Sequence, residues 1–113
     1  MAIQTAAMKS TLSDAYKAAA TYADLYSTVP SGAAGTAISG GSPAYASKAL
    51  TWGSSSNGVV SGTATFDVPS GATVAGAGVK TGAAGTFLDG TSVTSQAFAS
   101  QGTYALTLTY TQT

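Results

Sequence analysis

Glycine and proline are confined to one part of this chain, and this distribution constrains the fold more than any other feature. All 14 glycines and all three prolines of the 113 residues lie after Val29, whereas the segment before it is rich in alanine. Glycine and proline interrupt helices and mark turns. The chain therefore divides into a helical beginning and a longer part of short, turn-separated elements. Its length suits one domain with a modest core.

The segment from about Ile3 to Tyr26 is predicted to be one amphipathic helix. Pro30 ends it, because the residue before a proline avoids the helical conformation. We expect its apolar stripe to pack on the sheet of its own subunit, with docking on a neighbouring subunit as the alternative. The stripe follows spacings of four and three residues and consists of Met8, Leu12, Ala15, Ala19, Tyr22 and Tyr26.

The part after the helix reads as short strands separated by turns, one of them at Asp89-Gly90. The six predicted strands are Tyr45–Trp52, Val59–Val68, Thr73–Thr81, Thr86–Leu88, Ser92–Ala99 and Thr103–Thr111. The sequence therefore predicts an α+β, mainly β fold, in which the N-terminal helix precedes an antiparallel β-sandwich or small barrel of about six strands. Within this single unit we expect an N-terminal helix at 1–29, a Gly-rich loop at 30–43 and the β-sandwich at 44–113.

Two groups of side chains follow from these assignments. Large apolar residues on the inward strand faces form the predicted core, namely Trp52, Phe66, Val68, Phe87, Phe98, Leu106 and Leu108. The hypothesis that the helix and the loop contact a neighbouring molecule selects a second group, namely Met8, Leu12, Tyr16, Tyr22, Tyr26, Ile38 and Tyr45.

Charge is sparse. The chain has four lysines, four aspartates, and no arginine, glutamate or histidine, so 7% of its residues are charged and the net charge is zero. Ordinary soluble domains have about 25% charged residues. A neutral surface favours self-association, and without a basic patch we expect no nucleic-acid partner. No apolar run reaches the roughly 18 residues of a membrane span and no secretory signal is recognisable, so no membrane partner is expected.

Residues that carry chemistry are also sparse. The only acidic side chains are Asp14, Asp24, Asp67 and Asp89, and none is paired with another by its spacing. The absence of histidine and cysteine excludes nitrogen and sulfur metal ligands, and no serine has a lysine three residues further on. We therefore expect no catalytic residue, no metal, no cofactor and no enzyme activity.

Two groups of residues suggest a binding function. Thr107, Thr109 and Thr111 resemble the threonine rows of ice-binding proteins, but one row is not the repeated array that such surfaces need. Tyrosines such as Tyr45, Tyr104 and Tyr110 are candidates for a carbohydrate-binding platform, although tyrosine is equally common in sandwich cores.

One segment carries a family resemblance. Residues 40–52 read GGSPAYASKALTW, which resembles the GGSPAYARxAVTW-type signature of small virion proteins in phages of actinobacteria. The similarity continues through TFDVPSGATV at 65–74 and extends to Gly85–Leu88 and Gln101–Tyr104. Two departures stand out: LYSTVP at 25–30 replaces a His-Thr-Ala-Asp-Pro-like segment, and Ser47 stands near where relatives often have a basic residue.

The resemblance implies a structural role in a bacteriophage particle. We expect first a minor capsid or decoration protein on the head surface, with the major capsid protein and copies of itself, for instance in a trimer, as partners. The alternative within the same class is a tail-tip or tail-fibre-associated protein with tail proteins as partners. The alternative of another class is a carbohydrate-binding or adhesin module.

Overall fold

A computed structural model of the chain describes residues 3–112 and confirms a mainly β, α+β fold. The first two residues and the last one, which the predicted segments 1–29 and 44–113 include, lie outside the described residues. Within these described residues, one helix precedes seven antiparallel strands. The elements are α1 (Ala6–Ala19), β1 (Tyr22–Tyr26), β2 (Lys48–Ala49), β3 (Thr51–Trp52), β4 (Val59–Val68), β5 (Thr73–Lys80), β6 (Phe87–Ala97) and β7 (Gly102–Thr111).

The strands form two sheets that face each other as a sandwich. One sheet has the order β2-β1-β5-β6 and the other the order β3-β4-β7. β4 and β7 pair without interruption from Val59 opposite Thr111 to Val68 opposite Gly102. Their buried and exposed residues alternate, as the period of two in the sequence predicts for strands with one face on a core.

The predicted helix is too long at its C-terminal end. Thr5 caps the N-terminus of α1, where its Oγ1 accepts a hydrogen bond from the Met8 amide at 3.2 Å. The helix ends at Ala19, and residues 22–26 form β1, between β2 and β5. Ala23 and Leu25, both fully buried, occupy the inward face of β1. The prediction of a helix to Tyr26 is therefore wrong, and the sandwich begins at β1 rather than at residue 44.

Two further strand predictions differ from the structure. The predicted strand Tyr45–Trp52 is divided into β2 and β3, which belong to different sheets. The predicted strands Thr86–Leu88 and Ser92–Ala99 are parts of one strand, β6, which passes through Asp89-Gly90 without a turn. An Asp-Gly pair can sit in a strand here because Gly90 pairs with Gly78 and needs no turn conformation.

The core lies between the two sheets and contains most of the predicted residues. Phe66, Val68, Phe98 and Leu106 are buried in it, together with Leu25 and Val74. The remaining three predicted core residues are only half-buried. Leu108 packs against the core cluster from the open side of the sandwich, Phe87 packs edge-on against Tyr26 at a centroid distance of 6.2 Å, and Trp52 lies under the helix.

The Gly-rich loop after β1 lies against the four-stranded sheet instead of extending away from it. A Cβ atom at Gly76 would be 2.6 Å from Cδ of Pro30, and one at Gly90 would be 2.7 Å from Cβ of Pro30. Side chains at these positions would push the loop off the sheet. The other end of the loop is held by Gln101, which accepts from the Ser42 amide and donates to the Pro43 carbonyl, both at 3.2 Å.

Candidate functional site

The helix α1 packs on the sandwich with its polar face and turns its apolar stripe outward. Met8 is 49% exposed and Leu12 36% exposed, and the alanines that continue the stripe, Ala15 and Ala19, are exposed as well. The side chain that is completely buried on α1 is Ser13. The expectation that the stripe packs on its own sheet is therefore wrong. We call these four residues the outward face of α1.

Polar contacts from the inward face hold α1 on the turn between β3 and β4. Ser13 satisfies its hydroxyl within the helix by donating to the Lys9 carbonyl at 2.8 Å. Lys17 donates to the Gly53 carbonyl at 3.0 Å, and Ser55 donates to Asp14 at 2.6 Å. The hydrogen bond from Ser55 lowers the pKa of Asp14 from its usual range. Small and polar residues thus make the contacts between this helix and the sandwich that leucines make in most amphipathic helices.

One aromatic residue joins α1 to both sheets. The ring of Tyr16 stacks on Tyr110 of β7 with a centroid distance of 3.9 Å and meets Trp52 edge-on at 6.1 Å. Its hydroxyl donates to Asp89 of β6 at 3.1 Å. Burial, followed by the charge of Asp89, raises the pKa of the Tyr16 hydroxyl. Trp52 in turn donates from Nε1 to the Ala20 carbonyl at 2.7 Å, just beyond the last turn of the helix.

A cleft of about 410 Å³ opens beside this aromatic group, between the edge strands β6 and β7. Trp52, Tyr110 and Asp89 line it together with the β7 residues Thr107 and Thr109. Aromatic rings beside polar groups form a concave surface of the kind that binds small ligands such as sugars. However, the stacked rings of Tyr16 and Tyr110 cover each other, which leaves less free ring surface than such a site needs.

The structure also brings together a serine and a lysine that the sequence does not connect. Lys80 Nζ lies 3.3 Å from Ser47 Oγ, but it also donates to Asp24 at 2.9 Å and to the Ala83 carbonyl at 2.9 Å. These three acceptors account for the three ammonium hydrogens, so no lone pair is available to take the serine proton. Ser47 donates to Asp24 at 2.9 Å. The arrangement is that of a structural ion pair rather than of a nucleophile with its base.

The residues of the predicted interface separate into two groups. Met8 and Leu12 lie on the outward face of α1, whereas Tyr16 is half-buried among its intramolecular partners. Tyr26 and Ile38 are buried in the core, at 4% and 7% exposure, so their side chains are not available to a neighbour.

Two half-buried tyrosines complete the predicted interface group. Tyr22 lies on β1. The ring of Tyr45 stacks on Phe66 at a centroid distance of 6.0 Å, and its hydroxyl bonds Asp24.

Sequence reasoning missed the inward face of α1, formed by Ser10, Ser13 and Lys17. The sequence contains one indirect signal for it. The apolar positions of α1 follow the strict four-three spacing of a helix–helix seam, and this stripe is narrower than the apolar stripe of a helix that packs on its own sheet.

Residues 3–112 contain no cluster of three or more His, Cys, Asp or Glu side chains that could hold a metal ion. No helix in that range is long and apolar enough to cross a membrane.

Comparison of the chain with models of known protein families, with curated proteins and with solved structures found no match.

Proposed function

We propose that this chain is a structural protein of a bacteriophage virion, and that it acts as a minor capsid or decoration protein. The observation that carries this proposal is the outward face of α1, an uncharged apolar stripe on a helix whose polar side is already occupied. A helix arranged in this way exposes its apolar stripe to water in the monomer, and it stabilises an assembly by burying that stripe against a neighbour.

Two further observations support the proposal. With 7% charged residues and no net charge, the surface offers little resistance to being covered by neighbouring subunits. The signature segment at residues 40–52 resembles that of small phage virion proteins. In this chain it begins with a turn held by backbone and Gln101 contacts and continues into β2 and β3, which is a structural use.

The docking surface can be tested by incorporation into particles. Leu12→Asp places a charge on the outward face of α1 and should reduce the copy number of the protein in virions of the phage that encodes it. The matched control is Leu88→Asp, the same change at a leucine that is 44% exposed on β6. Quantitative mass spectrometry of purified particles, relative to the major capsid protein, gives the copy number.

The same measurement separates the alternatives. A copy number of the same order as that of the major capsid protein supports decoration of the head. A few copies per particle would support the tail-tip or fibre-associated role instead. Unchanged incorporation of a correctly folded Leu12→Asp variant would refute docking through the outward face of α1, and absence of the protein from particles would refute the virion role.

A carbohydrate-binding or adhesin module is the second candidate, and the cleft beside Trp52 is the observation that favours it. Glycan binding by the isolated protein that is lost on Trp52→Ala, with the fold intact, would establish it over the structural role.

A further inference from the structure

The sandwich has four sheet edges, and three of them are blunted against pairing with another strand. β2 and β3 form two of these edges and are two residues long each. β6 forms the third and is irregular, because Val74 pairs with Gln96 whereas Gly76 pairs with Ser92, which leaves a bulge at residues 93–95. Short edge strands and bulges are the devices that prevent strands of different molecules from pairing.

The fourth edge, β7, has none of these devices. It is ten residues long, pairs with β4 without a register shift, and contains no proline and no charged residue. Threonine, tyrosine and leucine make up most of it, and the first two are strong strand formers. A long, regular and uncharged edge of this kind is a template for another strand.

The backbone groups that β7 leaves free can be identified from its pairing. The Gln112 amide donates to the Gly58 carbonyl at 2.9 Å, so even-numbered residues at this end of the chain bond toward β4. The odd-numbered residues from Thr103 to Thr111 therefore direct their amides and carbonyls away from β4, along the free edge. Their side chains are all exposed on the outer face of the sheet.

The sequence of β7 is close to a palindrome centred on Thr107. Residues 103–111 read TYALTLTYT, and only the positions of Ala105 and Thr109 differ between the two reading directions. When two such strands run antiparallel with Thr107 opposite Thr107, each residue meets one of its own kind, except that Ala105 lies opposite Thr109. Tyr104 lies opposite Tyr110 of the second copy, and Leu106 lies opposite Leu108 of the second copy.

We propose that β7 pairs with β7 of a second copy about a twofold axis at Thr107, so that the two three-stranded sheets join into one of six strands. This register places odd-numbered residues opposite odd-numbered residues. The free amides and carbonyls of both copies belong to these residues, so they can bond to each other across the axis. Identical surfaces facing each other across a twofold axis form a closed interface, so the free edge is used up and no fibre grows.

The side chains of β7 fit this arrangement on both faces of the sheet. On the inner face Tyr104, Leu108 and Tyr110 are only half-buried in the single chain, because the sandwich is open beside β7. The second copy would bring tyrosine beside tyrosine and leucine beside leucine, which are favourable cross-strand pairs. On the outer face threonine meets threonine except where Ala105 lies opposite Thr109, and no charge opposes another. The proposal does not depend on the virion role.

Charge placed at the axis tests the proposal. Thr107→Lys and Thr107→Asp each put two like charges opposite each other in the dimer, and should raise its dissociation constant by at least about tenfold. Thr63→Lys is the matched control, because Thr63 is exposed beside Thr107 on β4 but away from the axis. Sedimentation equilibrium should give twice the 10.9 kDa chain mass for the wild type and the control.

Mixing the two charged variants separates lost pairing from misfolding. Equal amounts of Thr107→Lys and Thr107→Asp should restore a dimer, because opposite charges then meet at the axis. In the wild-type dimer the amides of Ala105, Thr107 and Thr109 should be protected from hydrogen exchange, and Thr107→Lys should release them while the Leu106 and Leu108 amides stay protected. A wild-type protein that keeps the mass of one chain at high concentration would overturn the proposal, as would a dimer that Thr107→Lys leaves intact.

Discussion

The hydroxyl of Tyr45 takes the place of a missing strand partner. β2 pairs only with Tyr22 and Ala23 of β1, so the Leu25 amide has no strand opposite it on that side. Tyr45 accepts from this amide at 2.7 Å and donates to Asp24 at 2.5 Å, while its ring stacks on Phe66 inside the sandwich. Asp24 also pairs with Lys80 at 2.9 Å, and each of these two side chains is 14% exposed. A buried amide is thus satisfied without extending β2.

This position of Tyr45 predicts a loss of stability at alkaline pH. Burial and the hydrogen bond to Asp24 raise the pKa of Tyr45 above its usual value of 10.0. The unfolded chain therefore loses this proton at lower pH than the folded chain. The stabilisation is complete below pH about 10 and is lost above it, by up to about 1.4 kcal/mol per pH unit.

Urea unfolding at a series of pH values measures this effect. Tyr45→Phe should cost about 1–3 kcal/mol at neutral pH, because the Leu25 amide loses its partner, and should make the alkaline fall shallower. Tyr104→Phe is the control, since the Tyr104 hydroxyl forms no hydrogen bond with the described part of the chain, and it should leave both values near those of the wild type. An alkaline fall that Tyr45→Phe does not change would contradict this account.

At the scale of elements, α1 is held by one aromatic side chain and a few polar contacts. Tyr16→Ala should destabilise the protein by about 2–4 kcal/mol, because it removes the stack on Tyr110 and the contact with Trp52. Leu12→Ala, on the outward face, should change the stability of the monomer by no more than about 0.5 kcal/mol. Chemical unfolding followed by the fluorescence of Trp52, the single tryptophan, reports both variants.

The predicted loss of stability is larger for Tyr16→Ala than for Leu12→Ala, which is the reverse of the usual order. In an ordinary amphipathic helix the leucine of the stripe would be the costly residue to remove. If Leu12→Ala proved as destabilising as Tyr16→Ala, the stripe would lie against the sandwich and the docking role of α1 would have no basis.

Strands with regular alternation were predictable, and elements decided by distant partners were not. β4 and β7 match their predictions because inward Phe66 and Leu106 alternate with exposed threonines. β1 was missed because Tyr22 and Tyr26 continue the spacing of the helical stripe. The alternation of Ala23 and Leu25 with their neighbours fits a strand equally well, so the local pattern does not decide between helix and strand. Only pairing with β5, far along the chain, makes this segment a strand.

The site was predictable in part for the same reason. The spacing of Met8 and Leu12 places them on one apolar stripe of α1, and their contact with a neighbour stays a prediction. Which face of α1 meets the sandwich depends on Tyr110, Asp89 and the turn at residues 53–58, and no pattern within α1 contains that information.

At the scale of the whole molecule, the N-terminal segment and the sandwich are one folding unit. β1 lies between β2 and β5, and its inward residues Ala23 and Leu25 are fully buried. A chain that lacks residues 1–43 should therefore fail to fold, because a central strand of the four-stranded sheet is missing. A chain that lacks residues 1–19 keeps β1 and should fold with reduced stability, since it loses Tyr16.

Circular dichroism and thermal unfolding of the two shortened chains check this prediction. Cooperative unfolding is expected for the chain that begins at residue 20 and none for the chain that begins at residue 44. A cooperative transition in the shorter chain would mean that the sandwich can close without β1.

The position of β1 also sets the order of events during synthesis on a ribosome. β1 leaves the exit tunnel well before its main partner, β5, which is made only after β4. Until then, the nascent chain carries a strand with an apolar face and no sheet to join. β4 meets the same delay, because its partner β7 is made only after β5 and β6. Neither sheet can be completed early, and the sandwich should close only after β7 has been made.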